Sequence, residues 1–149
     1  MIELPTPERM ASLVSNVTQT MLGISFDAVE AGPQSALHWR TALLGIAGQF
    51  PLTVGLSSDE RGCRKLSAAM FSCPDANVDQ GMMNDALCEL VNMTAGLLKG
   101  ALSLDQSLGL PKVVPDDDPR FARTQTDRQV IVLRAREVGL MLWVLPGVA

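Results

Sequence analysis

From Asp85 to Ser103 the chain alternates between apolar and polar positions at helical spacing. At about 100° per residue, Asp85, Glu89, Asn92, Gly96, Lys99 and Ser103 fall within a sector of roughly 80°, while Ala86, Leu87, Leu90, Val91, Leu97, Leu98 and Leu102 fill the other side. The spacing predicts a helix from about Val78 to about Leu102, buried over its wide apolar face and open along a polar stripe. An acid and an amide three residues apart then stand on the wet edge of a rigidly held rod, a placement that suits side-chain chemistry. Gly96 and Gly100 would each cost such a helix about 1 kcal/mol relative to alanine. They are read first as places where another backbone packs closely, and second as clear space over the stripe.

The rest of the chain divides into shorter patterns. Thr6 before Pro7 reads as an N-cap followed by proline at the first helical position; Met10, Leu13, Val14, Val17 and Met21 line one face, and Gly23 ends the helix. Alternation from Ile24 to Glu30, closed by Gly32-Pro33, predicts a half-buried strand. Runs over Ala36 to Ile46 and Phe50 to Leu56, separated at Gly48, predict a hairpin with Pro51 at an edge or bulge. Ser57 with Glu60 matches a capping box for a helix carrying Cys63, Leu66, Ala69 and Met70, ended by Pro74 and Asp75. After the long helix, Leu108 to Val114 reads as one short strand around Pro111. Val130 to Arg136 and Val138 to Leu145 read as adjoining strands, the second apolar on both faces and so central, with the turn at Arg136-Glu137 or at Gly139.

This order of elements predicts an α/β two-layer sandwich: a mostly antiparallel sheet covered by helices, one of them the long stripe-bearing helix. With 149 residues, 47% hydrophobic and 19% charged, a single domain over residues 1–149 is expected. Aromatics make up only 4%, so aliphatic residues and eight Met must fill the core. A net charge of −4 with no basic, aromatic-interleaved patch argues against nucleic acid as a partner. No signal peptide is evident and Val138 to Leu145 is too short to span a membrane, so a cytoplasmic protein without membrane attachment is expected. Cys63, Cys73 and Cys88 form no CxxC pair and His38 is alone, so no zinc site of usual spacing is present. The acidic run Asp116-Asp117-Asp118 lies between two prolines without the alternate spacing of a calcium loop and reads as a solvated turn.

Asp85, Leu87, Glu89, Asn92, Met93, Gly96 and Lys99 fit the stretch D-A-L-x-E-x-x-N-M-x-x-G-x-x-K. In this the chain resembles the CheX-like members of the CheC/CheX/FliY family of chemotaxis phosphatases. The likeness extends to Leu44 through Ser57 as a glycine-turn hairpin and to Leu110-Pro111-Lys112-Val113-Val114 as a proline-containing strand, covering about residues 40 to 115. Phe50-Pro51 departs from a second glycine common in that turn, and Thr94 stands at a usually aliphatic position, where it would pack inward or bond back to the chain.

The resemblance implies a protein phosphatase that hydrolyses the aspartyl phosphate of a CheY-type response regulator by inserting the Glu-x-x-Asn helix. Asn92 would hold the attacking water and Glu89 would pair with a lysine of the regulator, while Asp85, Gly96, Lys99 and Ser103 would form the docking rim. It also implies Mg2+ on the partner receiver domain, no metal or other cofactor on this chain, and a homodimer. No second E-x-x-N occurs, in keeping with the single-motif CheX-like branch. Three other readings stand beside this one. Glu89 and Asn92 could be plain solvated residues; the fold could serve as a non-catalytic module recognising a response regulator or a signalling or motor-switch complex; or a dimer could sense a small ligand in a cleft between helices.

Overall fold

A computed structural model describes residues 4–29, 39–104, 107–115, 129–135 and 138–146. The elements are α1 (Pro7–Leu22), β1 (Asp27–Val29), β2 (Arg40–Ala47), β3 (Leu52–Ser58), α2 (Glu60–Phe71), a 3-10 turn (Asp75–Asn77), α3 (Gln80–Ala101), β4 (Ser107–Leu108), β5 (Lys112–Pro115), β6 (Gln129–Ala135) and β7 (Val138–Pro146). The seven strands among the described residues form one sheet in the order β1-β6-β7-β3-β2-β4, with β5 also pairing β2, and all of these pairings are antiparallel. Among the described residues three helices pack on the sheet, giving the expected α/β sandwich.

The helix ends follow from local chemistry. Arg9 N–H donates to the Thr6 hydroxyl at 3.2 Å, and Gly23 closes α1 in the left-handed region at φ 70°. The expected cap at Ser57 is not used: Ser57 belongs to β3, and the Asp59 carboxylate accepts from Gly62 N–H at 2.7 Å. Pairing of β3 with β2 as far as Ser58 and with β7 as far as Ser57 carries the chain past Ser57 before it can turn, which overrides the local S-x-x-E pattern. The Asp79 carboxylate caps α3 by accepting from Met82 N–H at 2.8 Å.

Strand β1 is shorter than its alternation predicts. The Ser15 hydroxyl bonds both the N–H and the carbonyl of Phe26, and the Thr18 hydroxyl donates to the Ile24 carbonyl. Helix α1 thus satisfies these backbone groups in place of a ladder. Strand β2 begins at Arg40; residues 36–38 of the expected run, and His38 with them, lie outside the described residues, as does Asp116-Asp117-Asp118. Pro51 precedes β3 in the turn. Gly139 pairs with Arg134 inside β7, so it does not mark the turn between β6 and β7; the other expected position, Arg136-Glu137, lies outside the described residues.

The core lies between helices and sheet. Met83, Ala86, Leu87, Leu90, Val91, Thr94, Ala95 and Leu98 of α3 are buried, against residues such as Leu44, Ile46, Val54, Leu56 and Leu142. Leu97, expected on that face, is 39% exposed. Thr94 turns inward and its hydroxyl donates to the Leu90 carbonyl at 2.7 Å. The opposite face of the sheet carries a second buried cluster of Leu43, Val114, Val132, Met141 and Trp143. Trp143 pairs with Gly55 across β7 and β3, and a Cβ at Gly55 would collide with the indole ring. Its indole N–H donates to the Ser57 hydroxyl at 3.3 Å, which in turn bonds Thr41 at 2.6 Å.

Candidate functional site

Burial of one side of α3 fixes the orientation of the other. Asp85, Glu89 and Ser103 are exposed, and Asn92, Gly96 and Lys99 are half-buried, so the polar stripe faces outward as the spacing predicts. Asp85, Glu89 and Asn92 meet in a shallow groove of about 360 Å³ completed by Cys88, Leu110 and Pro111. Among the described residues, none of Asp85, Glu89 and Asn92 has a side-chain hydrogen bond or ion pair. The acid and the amide are therefore available to a group that enters the groove. Gly96 and Lys99 continue the stripe beyond it. Ser103, in the left-handed region at φ 54°, sits apart from the groove in a depression of about 450 Å³ with Gly48, Gln49 and Phe50 of the β2–β3 turn.

Gly96 and Gly100 of α3 do not mark close packing. A Cβ added at Gly96 would meet only the Leu108 Cδ1 at 4.0 Å, and one at Gly100 would meet nothing within 4 Å. What they provide is open space along the stripe.

Leu110 and Pro111 were not singled out as site residues by sequence. They reach the groove through a bulge. Leu108 pairs with Ile46, and Lys112 with Leu43, so Gly109, Leu110 and Pro111 stand opposite only Leu44 and Gly45. Gly109 N–H donates to the Gly45 carbonyl at 2.7 Å and Pro111 has no N–H to offer, which splits the expected single strand into β4 and β5 and turns Leu110 outward. The signal was present as Gly-x-Pro inside a strand-like run, although its direction was not.

The cysteines read as structural. Burial, reinforced by Asp59 and Glu60 and opposed by Arg40, pushes the Cys63 thiol up to about 12. Burial and then Asp85 raise that of Cys88. Neither is a ready thiolate. Among the described residues no group of three or more His, Cys, Asp or Glu could hold a metal ion, and no helix is long and apolar enough to cross a membrane. A larger cleft of about 780 Å³ lies between the end of α1, Lys65 and the β6–β7 pair; it shares no lining residue with the groove.

Similar folds occur in several solved structures. CheX of Vibrio vulnificus superposes with a TM-score of 0.75 at 18% identity, covering 91% of this chain and 92% of that one. CheX of Borrelia burgdorferi, solved in a complex with CheY, BeF3 and Mg2+, gives 0.74 at 12% identity over 97% and 99%. The FliM middle domain of Vibrio alginolyticus gives 0.60 at 15% identity over 93% and 89%. At these identities the likeness shows the fold. Comparison with curated protein sequences returns no match. The family model described as chemotaxis phosphatase CheX matches residues 40–134, well over half of the chain and including all of α3. The chain belongs to the CheX family of chemotaxis phosphatases.

Proposed function

We propose that this protein hydrolyses the aspartyl phosphate of a CheY-type receiver domain, using Glu89 and Asn92 on α3. The observation that carries this reading is an unpartnered acid and amide, one helical turn apart, lining one open groove on a helix whose other side is locked into the core.

Hydrolysis of an aspartyl phosphate needs a water in line with the phosphorus on the side away from the leaving carboxylate. The receiver domain brings a Mg2+ ion and a lysine that balance the phosphoryl charge. The Asn92 carboxamide can accept a hydrogen bond from that water and donate another without changing its own charge, which fixes the oxygen for attack. As the new P–O bond forms, the bond to the aspartate oxygen breaks, the carboxylate departs with the electron pair and both protons of the water stay with the phosphate, which leaves as H2PO4−. Glu89 forms a charge-assisted bond to the partner's lysine and so sets the register of the inserted helix. Positioning alone is worth several powers of ten in rate and needs no covalent intermediate on this chain. Asp85, Gly96, Lys99 and Ser103 belong to the docking footprint, and two copies of the chain form the working assembly.

The test is phosphate release from a phosphorylated CheY-type receiver domain with and without the protein. Wild type accelerates release; Asn92→Ala abolishes the acceleration while binding to the receiver domain survives. Binding by wild type without acceleration supports the second reading, a non-catalytic recognition module. The likeness of this chain to the FliM middle domain, a fold neighbour not named as a phosphatase, supports that alternative.

A further inference from the structure

We propose that Leu110 is the apolar anchor onto which the receiver domain docks, setting partner affinity from outside the acid and amide pair. This rests on the functional reading above and adds a residue to its footprint. Leu110 is 87% exposed, about twice as much as Val29, Phe50, Phe71 or Leu97, the other large exposed hydrophobics among the described residues. A leucine this open is common on surfaces when it stands alone on a mobile loop. Leu110 does neither. It shares one groove with Asp85, Glu89 and Asn92, and its backbone is fixed on both sides.

The fixation comes from the bulge. On one side Gly109 bonds Gly45, so closely that a Cβ at Gly109 would stand 3.0 Å from the Gly45 carbonyl oxygen. On the other, Pro111 restricts Leu110 to extended backbone, and Lys112 resumes the ladder opposite Leu43. A bulge that turns one side chain out beside a groove is a common way of aiming a residue at a partner. Little ordering is left to be done on binding, so covering this apolar group, already held in place beside the polar site, costs little conformational entropy. The occupant that fits is a cation next to an apolar surface: the two carboxylates of the groove take the charge while Leu110 and Pro111 cover the carbon chain or an adjacent apolar side chain. A receiver-domain lysine with an apolar neighbour has that chemistry.

The experiment measures binding of the CheY-type receiver domains encoded with this protein, activated with beryllofluoride, by wild type, Leu110→Ser, Leu110→Asp, Asn92→Ala and Val29→Ser. Val29 lies on β1, at the far edge of the sheet, and controls for loss of an exposed apolar side chain. Loss of a buried leucine contact predicts affinity about tenfold to a hundredfold weaker for Leu110→Ser, weaker still for Leu110→Asp, and unchanged for Val29→Ser. KM for phosphate release should rise in step, with thermal unfolding of both Leu110 variants at the wild-type temperature because the side chain leaves no core contact. Unchanged affinity in both Leu110 variants, with release by wild type intact, overturns the anchor and leaves the phosphatase standing. A change in oligomeric state without a change in receiver affinity assigns Leu110 to self-association and also overturns it. If wild type binds no receiver domain, the functional reading falls first and takes the anchor with it.

Discussion

Replacing Gly96 by alanine separates what α3 needs from what its partner needs. In the free protein the added methyl would touch only the Leu108 Cδ1 at 4.0 Å, an ordinary contact, so nothing has to move. The gain is the difference in helix propensity, about 1 kcal/mol, since alanine loses less backbone freedom on folding than glycine. For a domain of this size that raises the midpoint of thermal unfolding by about 2–4 °C, measurable by circular dichroism. A methyl standing on the docking stripe has the opposite effect on function. Overpacking a close interface costs about 1–3 kcal/mol, which corresponds to a fall of about 5-fold to 150-fold in kcat/KM for phosphate release. The expected outcome is thus a more stable and less active protein. A lower unfolding temperature would refute the open-space account of Gly96, and a higher one with unchanged kcat/KM would place Gly96 outside the footprint. Gly100→Ala, with no atom within 4 Å of its new methyl, should repeat the gain in stability and, if it stands clear of the partner, keep the activity.

Glu89→Gln removes the charge but keeps the shape, and should lower kcat/KM for the receiver domain by about tenfold or more; a wild-type value would remove Glu89 from the proposed register. Gly55→Ala forces a methyl into the ring of Trp143, which is fully buried, and is expected to destabilise by about 3 kcal/mol in urea unfolding; a variant as stable as wild type would contradict the Gly55–Trp143 packing. Iodoacetamide at pH 8 should label Cys73 first, Cys88 more slowly and Cys63 only after denaturation, as read by mass spectrometry; early labelling of Cys63 would contradict its burial. Because the folded Cys63 is raised from 9.0 to about 12, its stabilising contribution is complete below pH 9 and is lost as pH rises from 9 toward 12. The stability difference between wild type and Cys63→Ala should therefore narrow over that range and stay constant from pH 6 to 8.

The elements legible in the sequence were those fixed by local chemistry. The Thr6 cap, the left-handed Gly23, the two-sided apolar run of β7 and the stripe of α3 all depend on residues a few positions apart. Misreadings came where a distant strand or helix decided the outcome. Ser57 looked like a cap until β3 was paired on both sides, and the alternation from Ile24 could not reveal that Ser15 and Thr18 would claim its backbone. Gly55 carries no mark of Trp143, its partner 88 positions later in the chain. Of the site, Glu89, Asn92 and Asp85 were visible because helical periodicity places them on one edge. Leu110 was not, since a single-residue shift in strand register, set only when β4 and β5 both pair with β2, decides which way it points.

The chain has two tryptophans and no tyrosine, so its ultraviolet emission comes from Trp39 and Trp143 alone. The two indoles differ in surroundings: Trp39 lies partly open with the Arg40 guanidinium 4.6 Å from its ring centre, and Trp143 is sealed in the apolar cluster on the side of the sheet away from α3. A Trp39→Phe variant would therefore carry a single fluorophore that emits at short wavelength while the sheet is intact and shifts to the red when it opens. Since that fluorophore and the groove lie on opposite sides of the sheet, its signal follows folding without being altered by anything that docks on α3.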